Sequence, residues 1–240
     1  MQPILNIAIR AVRKAGAYLL RERETCALTL EAEQLQTLRF ETTMLINEVI
    51  AKSFPQHGIL TEFSEDQTST QDIIWHVEAI SGSENFVRGI PHIAMVIVIE
   101  ELGVVQHALI FDPYADEIFS ASYGRQVQFN RFRVRVKNAT ALKHDVLLGV
   151  VGMQNFESGE ATAYYQGCPA LTLAYVAAGR LEGFVGKHLS PIDIKAGALM
   201  IQEAGGLVTD FSGEDNMVNR SEMVAGAPKL LKALLQSVRK

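Results

Sequence analysis

A chain of 240 residues, 48% hydrophobic and 20% charged, has the composition of a globular protein able to bury a sizeable core, and no apolar run in it approaches the length of a membrane span. Its formal net charge of -5 argues against bulk affinity for nucleic acid and leaves room only for a local basic patch. Cys26 and Cys168 lie far apart and match no metal or redox spacing, so free thiols in a reducing cytoplasm are expected.

Leu5, Ala8, Val12, Ala15 and Leu19 recur in steps of three and four, which predicts an amphipathic helix through about Arg23. Arg10, Arg13 and Lys14 interrupt its apolar pattern, so it lacks the core of a signal peptide. Thr25 to Thr37 reads as polar and irregular. A second helix follows, with Leu38, Leu45, Val49 and Ile50 on one face, and ends before Pro55. Ile59-Leu60 forms a short strand delivering Glu62, and Ser64 to Gln71 a polar surface loop. Ile73, Ile74, Trp75 and Val77 make a buried strand that carries Glu78 into Ser81-Gly82-Ser83. Such small residues let backbone N–H groups converge on an anion if a helix follows, although an ordinary strand exit explains them about as well.

Ile93 to Ile99 and Val104 to Phe111 read as an antiparallel hairpin, with a further strand from Glu117 to Ala121. Arg131, Arg133, Arg135 and Lys137 alternate with Phe132, Val134 and Val136, the pattern of a half-buried strand with one basic face. That face is either a strip for nucleic acid or an acidic partner, or a plain solvated surface; the negative net charge favours the latter. Val146 to Val151 is a strand, Pro169 to Ala178 a helix stopped by Gly179, and Leu181 to Val185 another strand. Pro191 opens a helix with Asp193 in its first turn, where the macrodipole favours a carboxylate even without a metal. Leu207 to Asp210 and Met223 to Ala225 are strands, and Pro228 to Val238 a last amphipathic helix. Strands that first meander and later alternate with helices imply an α+β front half (1–138) and an α/β rear half (139–240) within one compact unit.

The run from Trp75 to Phe86 resembles the inositol monophosphatase signature W-x-x-D-P-[LI]-D-G-T-x-N-F, with the tryptophan, Ile80, Gly82, Asn85 and Phe86 matching in register. Glu62 looks like the first acid of the family's G-E-E, and Pro191 to Gly197 running into Glu203-Ala204-Gly205-Gly206 is similar to its P-W-D-x-A-A-G…E-A-G-G. Met1 to Arg10 and Ala174 to Arg180 resemble the bacterial SuhB branch. The resemblance implies a layered αβαβα sandwich, a homodimer, and a cleft in which carboxylates and one backbone carbonyl hold Mg²⁺ for phosphate ester hydrolysis. On this chain the metal positions fall at Glu62, Glu78, the Ile80 carbonyl and Asp193, and the phosphate contacts at Gly82 and Ser83.

The departures from the pattern carry the functional reading. Where the family has two aspartates this chain has Glu78 and the uncharged Ser81, and Glu84 adds an anion beside the expected phosphate position. The water-orienting aspartate falls at Arg39, a donor-only cation, and the sugar-gripping glutamate of some members at Gly186. Gly152 to Gln166 is shorter than the family's corresponding segment, which carries an extra helix. These losses together predict a vestigial site at Glu62, Glu78, Ser81, Gly82, Ser83 and Asp193, with no metal at full occupancy. Arg39, helped by Lys195, is expected to neutralise the remaining carboxylates. The implied function is a non-catalytic binding protein that acts with RNA polymerase or Nus factors in transcription antitermination. The alternative is a weak Mg²⁺-dependent inositol-1-monophosphatase.

Overall fold

The computed structural model describes residues 3–65, 69–154 and 156–238. Two helices, α1 (Pro3–Glu24) and α2 (Ala32–Ser53), lead into β1 (Gly58–Thr61), β2 (Ile73–Ser81) and the one-turn α3 (Ser83–Val87). Then come β3 (Ala94–Glu101), β4 (Val104–Asp112), β5 (Glu117–Ser122), β6 (Arg125–Phe129) and β7 (Phe132–Arg133). These seven strands lie side by side in chain order; β1 runs parallel to β2 and the later neighbours are antiparallel. The rest of the chain supplies β8 (Leu147–Val151), β9 (Thr162–Tyr164), α4 (Pro169–Ala177), β10 (Gly183–Lys187), α5 (Pro191–Glu203), β11 (Leu207–Thr209), α6 (Met217–Arg220), β12 (Glu222–Gly226) and α7 (Pro228–Val238). Its five strands are ordered β11-β12-β10-β8-β9.

The layers follow from which strand residues are apolar on which face. Along β3, Met95, Ile97 and Ile99 pack with α1 and α2, whereas Ala94, Val96 and Val98 pack with α4 and α5. Both faces of this sheet are therefore covered, which is why the strand reads as an unbroken apolar run. Val150, Val185 and Val224 of the second sheet bury against Leu230, Leu231 and Leu234 of α7. The result is a five-layer αβαβα sandwich, as the resemblance implies. Trp75, Phe86, Phe119 and Phe184 are fully buried, each contributing about 1.5–3 kcal/mol relative to exposure.

Several expectations are corrected. The second helix begins at Ala32, not after Thr37, because the Gln34 side-chain oxygen accepts the Glu31 N–H at 3.0 Å and closes the first turn. The basic alternation is a strand only at Phe132–Arg133: Asn130 (φ 44°) and Arg131 (φ 78°) make a tight turn. Beyond it the Val136 N–H bonds the Ala204 carbonyl instead of a sheet neighbour. The strand expected from Leu181 begins at Gly183, since the Arg180 and Leu181 N–H groups bond back to the Tyr175 carbonyl. The sequence reading also missed the short β6, β9 and α6. Between Val151 and Pro169 the described residues form no helix. Of the expected 64–71 loop, residues 66–68 lie outside the described ones, as does Asn155 of the 152–166 segment.

Candidate functional site

The cleft forms where the C-terminal ends of β1 and β2 meet the N-terminus of α5. A bulge in β2 sets its geometry: the pairing of β2 with β3 shifts register between Glu78 and Ser81. Simple alternation would send Ser81 to the same side as Trp75, Val77 and Ala79, under α1 and α2. With the extra residue, Ala79 and Ile80 both join that core and Ser81 turns to the α4–α5 side. There its hydroxyl donates to Asp193 Oδ1 at 3.1 Å. Gly82 (φ 86°) makes the left-handed step into α3; a Cβ at that position would lie 3.0 Å from the Cys168 Cβ.

Ser190 caps α5, its hydroxyl oxygen accepting the Asp193 N–H at 3.2 Å while its O–H donates to Glu78 Oε2 at 3.3 Å. One short side chain thus ties the helix start to the strand carboxylate. Arg39 comes from the second turn of α2, and its Nη1 lies 3.2 Å from Glu62 Oε2, with only 18% of the side chain exposed. A cavity of about 320 Å³ is lined by Arg39, Glu62, His76, Glu78, Ser190 and Lys195, among others.

The electrostatics of the cleft follow from burial. Desolvation raises the Glu78 carboxyl well above the ordinary carboxylate range; Asp193 adds repulsion and Arg39 opposes it. Asp193 is raised too, by burial, against hydrogen bonds from Ser190 and Ser81 that favour its charged form. Glu100 behaves in the opposite way. Burial would raise it, but hydrogen bonds from His76 (3.0 Å) and Lys195 (2.6 Å) bring it down to about 2. Lys195 is therefore committed to Glu100 and does not assist Arg39, contrary to the expectation. Glu84, on the first turn of α3, is 84% exposed and lies 3.7 Å from Arg88.

Magnesium needs about six oxygen ligands, several of them anionic, in near-octahedral array. The side chains as arranged do not fit it. Ser81 is neutral and spends its proton on an Asp193 oxygen, Glu62 is held by a guanidinium, and Glu78 is pushed towards its protonated form. The Ser83 hydroxyl, expected for phosphate, donates to the Ile80 carbonyl at 3.2 Å, the one backbone atom assigned to metal. Among the described residues no group of three or more His, Cys, Asp or Glu side chains is arranged to hold a metal ion. At Gly186 a Cβ would fall 2.6 Å from the Phe184 ring, so that position has no room for a sugar-contacting side chain.

Sequence reasoning missed the parts Ser190, His76, Glu100 and Cys168 play. Cys168 Sγ sits 3.4 Å from the Ser81 carbonyl, buried, with burial holding its thiol far above the usual range. Ser190 directly before Pro191 carries the local signature of a helix cap; nothing local marks His76, Glu100 and Cys168, which strand register and the placing of α4 and α5 bring to the cleft.

A two-sheet, five-layer sandwich with acids at the end of a bulged strand and on the first turn of a facing helix defines the sugar-phosphatase class of fold. The chain belongs to the inositol monophosphatase family, whose pattern matches residues 1–240. It is 37% identical over 261 aligned positions to the Nus factor SuhB of Escherichia coli K12, covering 100% of this chain and 97% of that protein. Against the Nus factor SuhB of Pseudomonas aeruginosa it is 34% identical, covering 99% and 96%. Among solved structures, the extragenic suppressor protein SuhB of Bartonella henselae superposes with a TM-score of 0.90 at 29% identity over 100% of both chains. The Thermotoga maritima IMPase gives 0.85 at 27% identity, covering 98% and 96%. The chain is thus a SuhB-like member of the family, and no helix among its described residues is long and apolar enough to cross a membrane.

Proposed function

We propose that this protein is a SuhB-type binding protein whose phosphatase cleft is chemically disarmed and which works through protein contacts with the transcription machinery. The observation that carries the first half is the Arg39–Glu62 pair at 3.2 Å inside the carboxylate cleft. A guanidinium there supplies one of the positive charges that a divalent cation brings to a working hydrolase, but it can neither ligate and acidify a water molecule nor accept a proton from it. Losing such transition-state stabilisation costs about 2.7–4 kcal/mol per group, or roughly hundreds-fold in rate, and here several groups are lost together. The partner is inferred from full-length relatives that carry the name Nus factor.

Two measurements test this reading. Release of phosphate from inositol 1-phosphate at millimolar Mg²⁺ is expected to be absent, and immobilised protein is expected to retain RNA polymerase or a Nus factor at moderate salt. Brisk Mg²⁺-dependent turnover would overturn the first half, and failure to retain either partner the second. The family's homodimer is carried over as part of the proposal and is checked by light scattering.

One observation favours the alternative, a weak Mg²⁺-dependent phosphomonoesterase: Glu84 is solvent-exposed and has Arg88 at 3.7 Å, which weakens its repulsion of a phosphate at Gly82. In that reading Glu62, Glu78, the Ile80 carbonyl and Asp193 would hold the metal, which supplies a polarised phosphate and an activated water. Arg39 would have to swing off Glu62 before the site could form.

A further inference from the structure

The far end of the first sheet carries a basic surface that the cleft chemistry does not use. Arg125 on β6, Arg131 in the turn and Arg133 on β7 are exposed, and among the described residues no carboxylate forms an ion pair with them. Arg125 and Arg133 line a cavity of about 740 Å³ between the start of α1 and the sheet, together with Ser120, Gln126 and Gln128. Arg131 and Phe132 line a second, of about 520 Å³, which shares Ser120 with the first. Of the acids on the border, Asp116 pairs with Arg13 at 3.2 Å and Glu117 with Arg180 at 2.5 Å, while Glu203 accepts the Gly124 N–H at 2.7 Å beside Arg125. In a chain of net charge -5, positive charge is thus gathered at one sheet edge. Two aromatic rings stand in water beside it, Phe132 at 74% and Tyr123 at 65% exposure.

We propose that this groove binds single-stranded RNA. Unpaired guanidinium forks match phosphate oxygens, an exposed ring offers a platform for an unstacked base, and glutamine amides match base edges. A duplex would leave the rings unused, because its base faces are already stacked. An acidic peptide would satisfy the arginines and leave Phe132 without a role. The assignment stands independently of whether Nus factors or RNA polymerase are partners.

Fluorescence anisotropy of the full chain with a labelled oligouridine of about 12 nucleotides, within the span of single-strand sites, tests it. Binding is expected at low salt. The triple variant R125Q/R131Q/R133Q should weaken it at least about tenfold and flatten the dependence of log affinity on log salt by about 0.7 per arginine. Phe132→Ala should weaken binding by about fivefold or more and leave the salt slope unchanged, since stacking releases no counterions. Arg21→Gln, at the other end of α1, should change neither. Circular dichroism confirms that each variant is folded, and Phe132→Ala alone decides the matter if the triple variant is not. The proposal fails if the wild-type chain gives no anisotropy change, or if Arg21→Gln is as damaging as the triple variant. It fails equally if Phe132→Ala is silent, and displacement of the RNA by a polyglutamate peptide would then mark an acidic-peptide site.

Discussion

Among single side chains, Glu78 is the one most at odds with its surroundings. Its folded-state pKa is raised, chiefly by burial, so the native protein binds a proton more readily than the unfolded chain. Stability is then lost as pH rises from the ordinary carboxylate range through the raised value. Glu78→Gln is expected to be more stable than the wild-type protein by about 1 kcal/mol or more at pH 8, with the difference vanishing towards pH 4. Urea unfolding at the two pH values reads this; an equal difference at both would refute it. Glu100 carries the opposite sign. Its folded pKa of about 2 lies below the unfolded value, so its contribution is present above that value and is lost as pH falls through about 2. Glu100→Gln should cost about 1 kcal/mol at pH 7, reduced from the ideal by solvent screening, and progressively less on acidification. That both glutamates sit in the cleft region was partly legible: Glu78 stands in a recognisable register, but Glu100 belongs to a plain apolar strand. Only the pairing of β2 with β3 and the approach of α5 give it His76 and Lys195.

At the scale of elements, the start of α5 and its contact with α4 decide the shape of the cleft. Ser190→Ala removes the cap from Asp193 and the hydrogen bond to Glu78, and should lower stability by about 1 kcal/mol in thermal or denaturant unfolding. Gly197 lies where α5 crosses α4, and a Cβ there would sit 2.5 Å from Leu173 Cδ1 and 2.9 Å from its Cβ. Helix propensity alone would make Gly197→Ala stabilising by about 1 kcal/mol. The overlap with Leu173 Cβ, which no rotamer change relieves, should outweigh that and leave a net loss of about 1–3 kcal/mol in a melting experiment. The helix itself was readable from Pro191 and the apolar spacing. Its closeness to α4 was not, because a glycine in a helix looks like a weakness until its neighbour is known. The β2 bulge is a similar case: period-two alternation ran cleanly to Ala79 and then put Ser81 on the wrong face.

For the molecule as a whole, the proposal reduces to whether two substitutions separate this chain from a metal site. The double variant R39D/S81D restores the water-orienting acid and the lost acid of the signature. It should acquire a heat of Mg²⁺ binding by calorimetry that the wild-type protein lacks, and with it a trace of phosphate release. If the wild-type protein already binds Mg²⁺ as well as the variant does, charge replacement by Arg39 is not what distinguishes it. What the sequence determined by itself was the order and type of the long elements, the family, and the identities of the altered residues. Those are carried by local periodicity and by motifs whose spacing survives substitution. Tertiary structure alone decided that Arg39 reaches Glu62, that Lys195 is drawn off to Glu100, that Glu84 faces solvent, and that unpaired arginines gather beside an exposed phenylalanine. A charged side chain is long and flexible, and its partner is chosen by which elements the core packing brings within a few ångströms, a quantity no local pattern encodes.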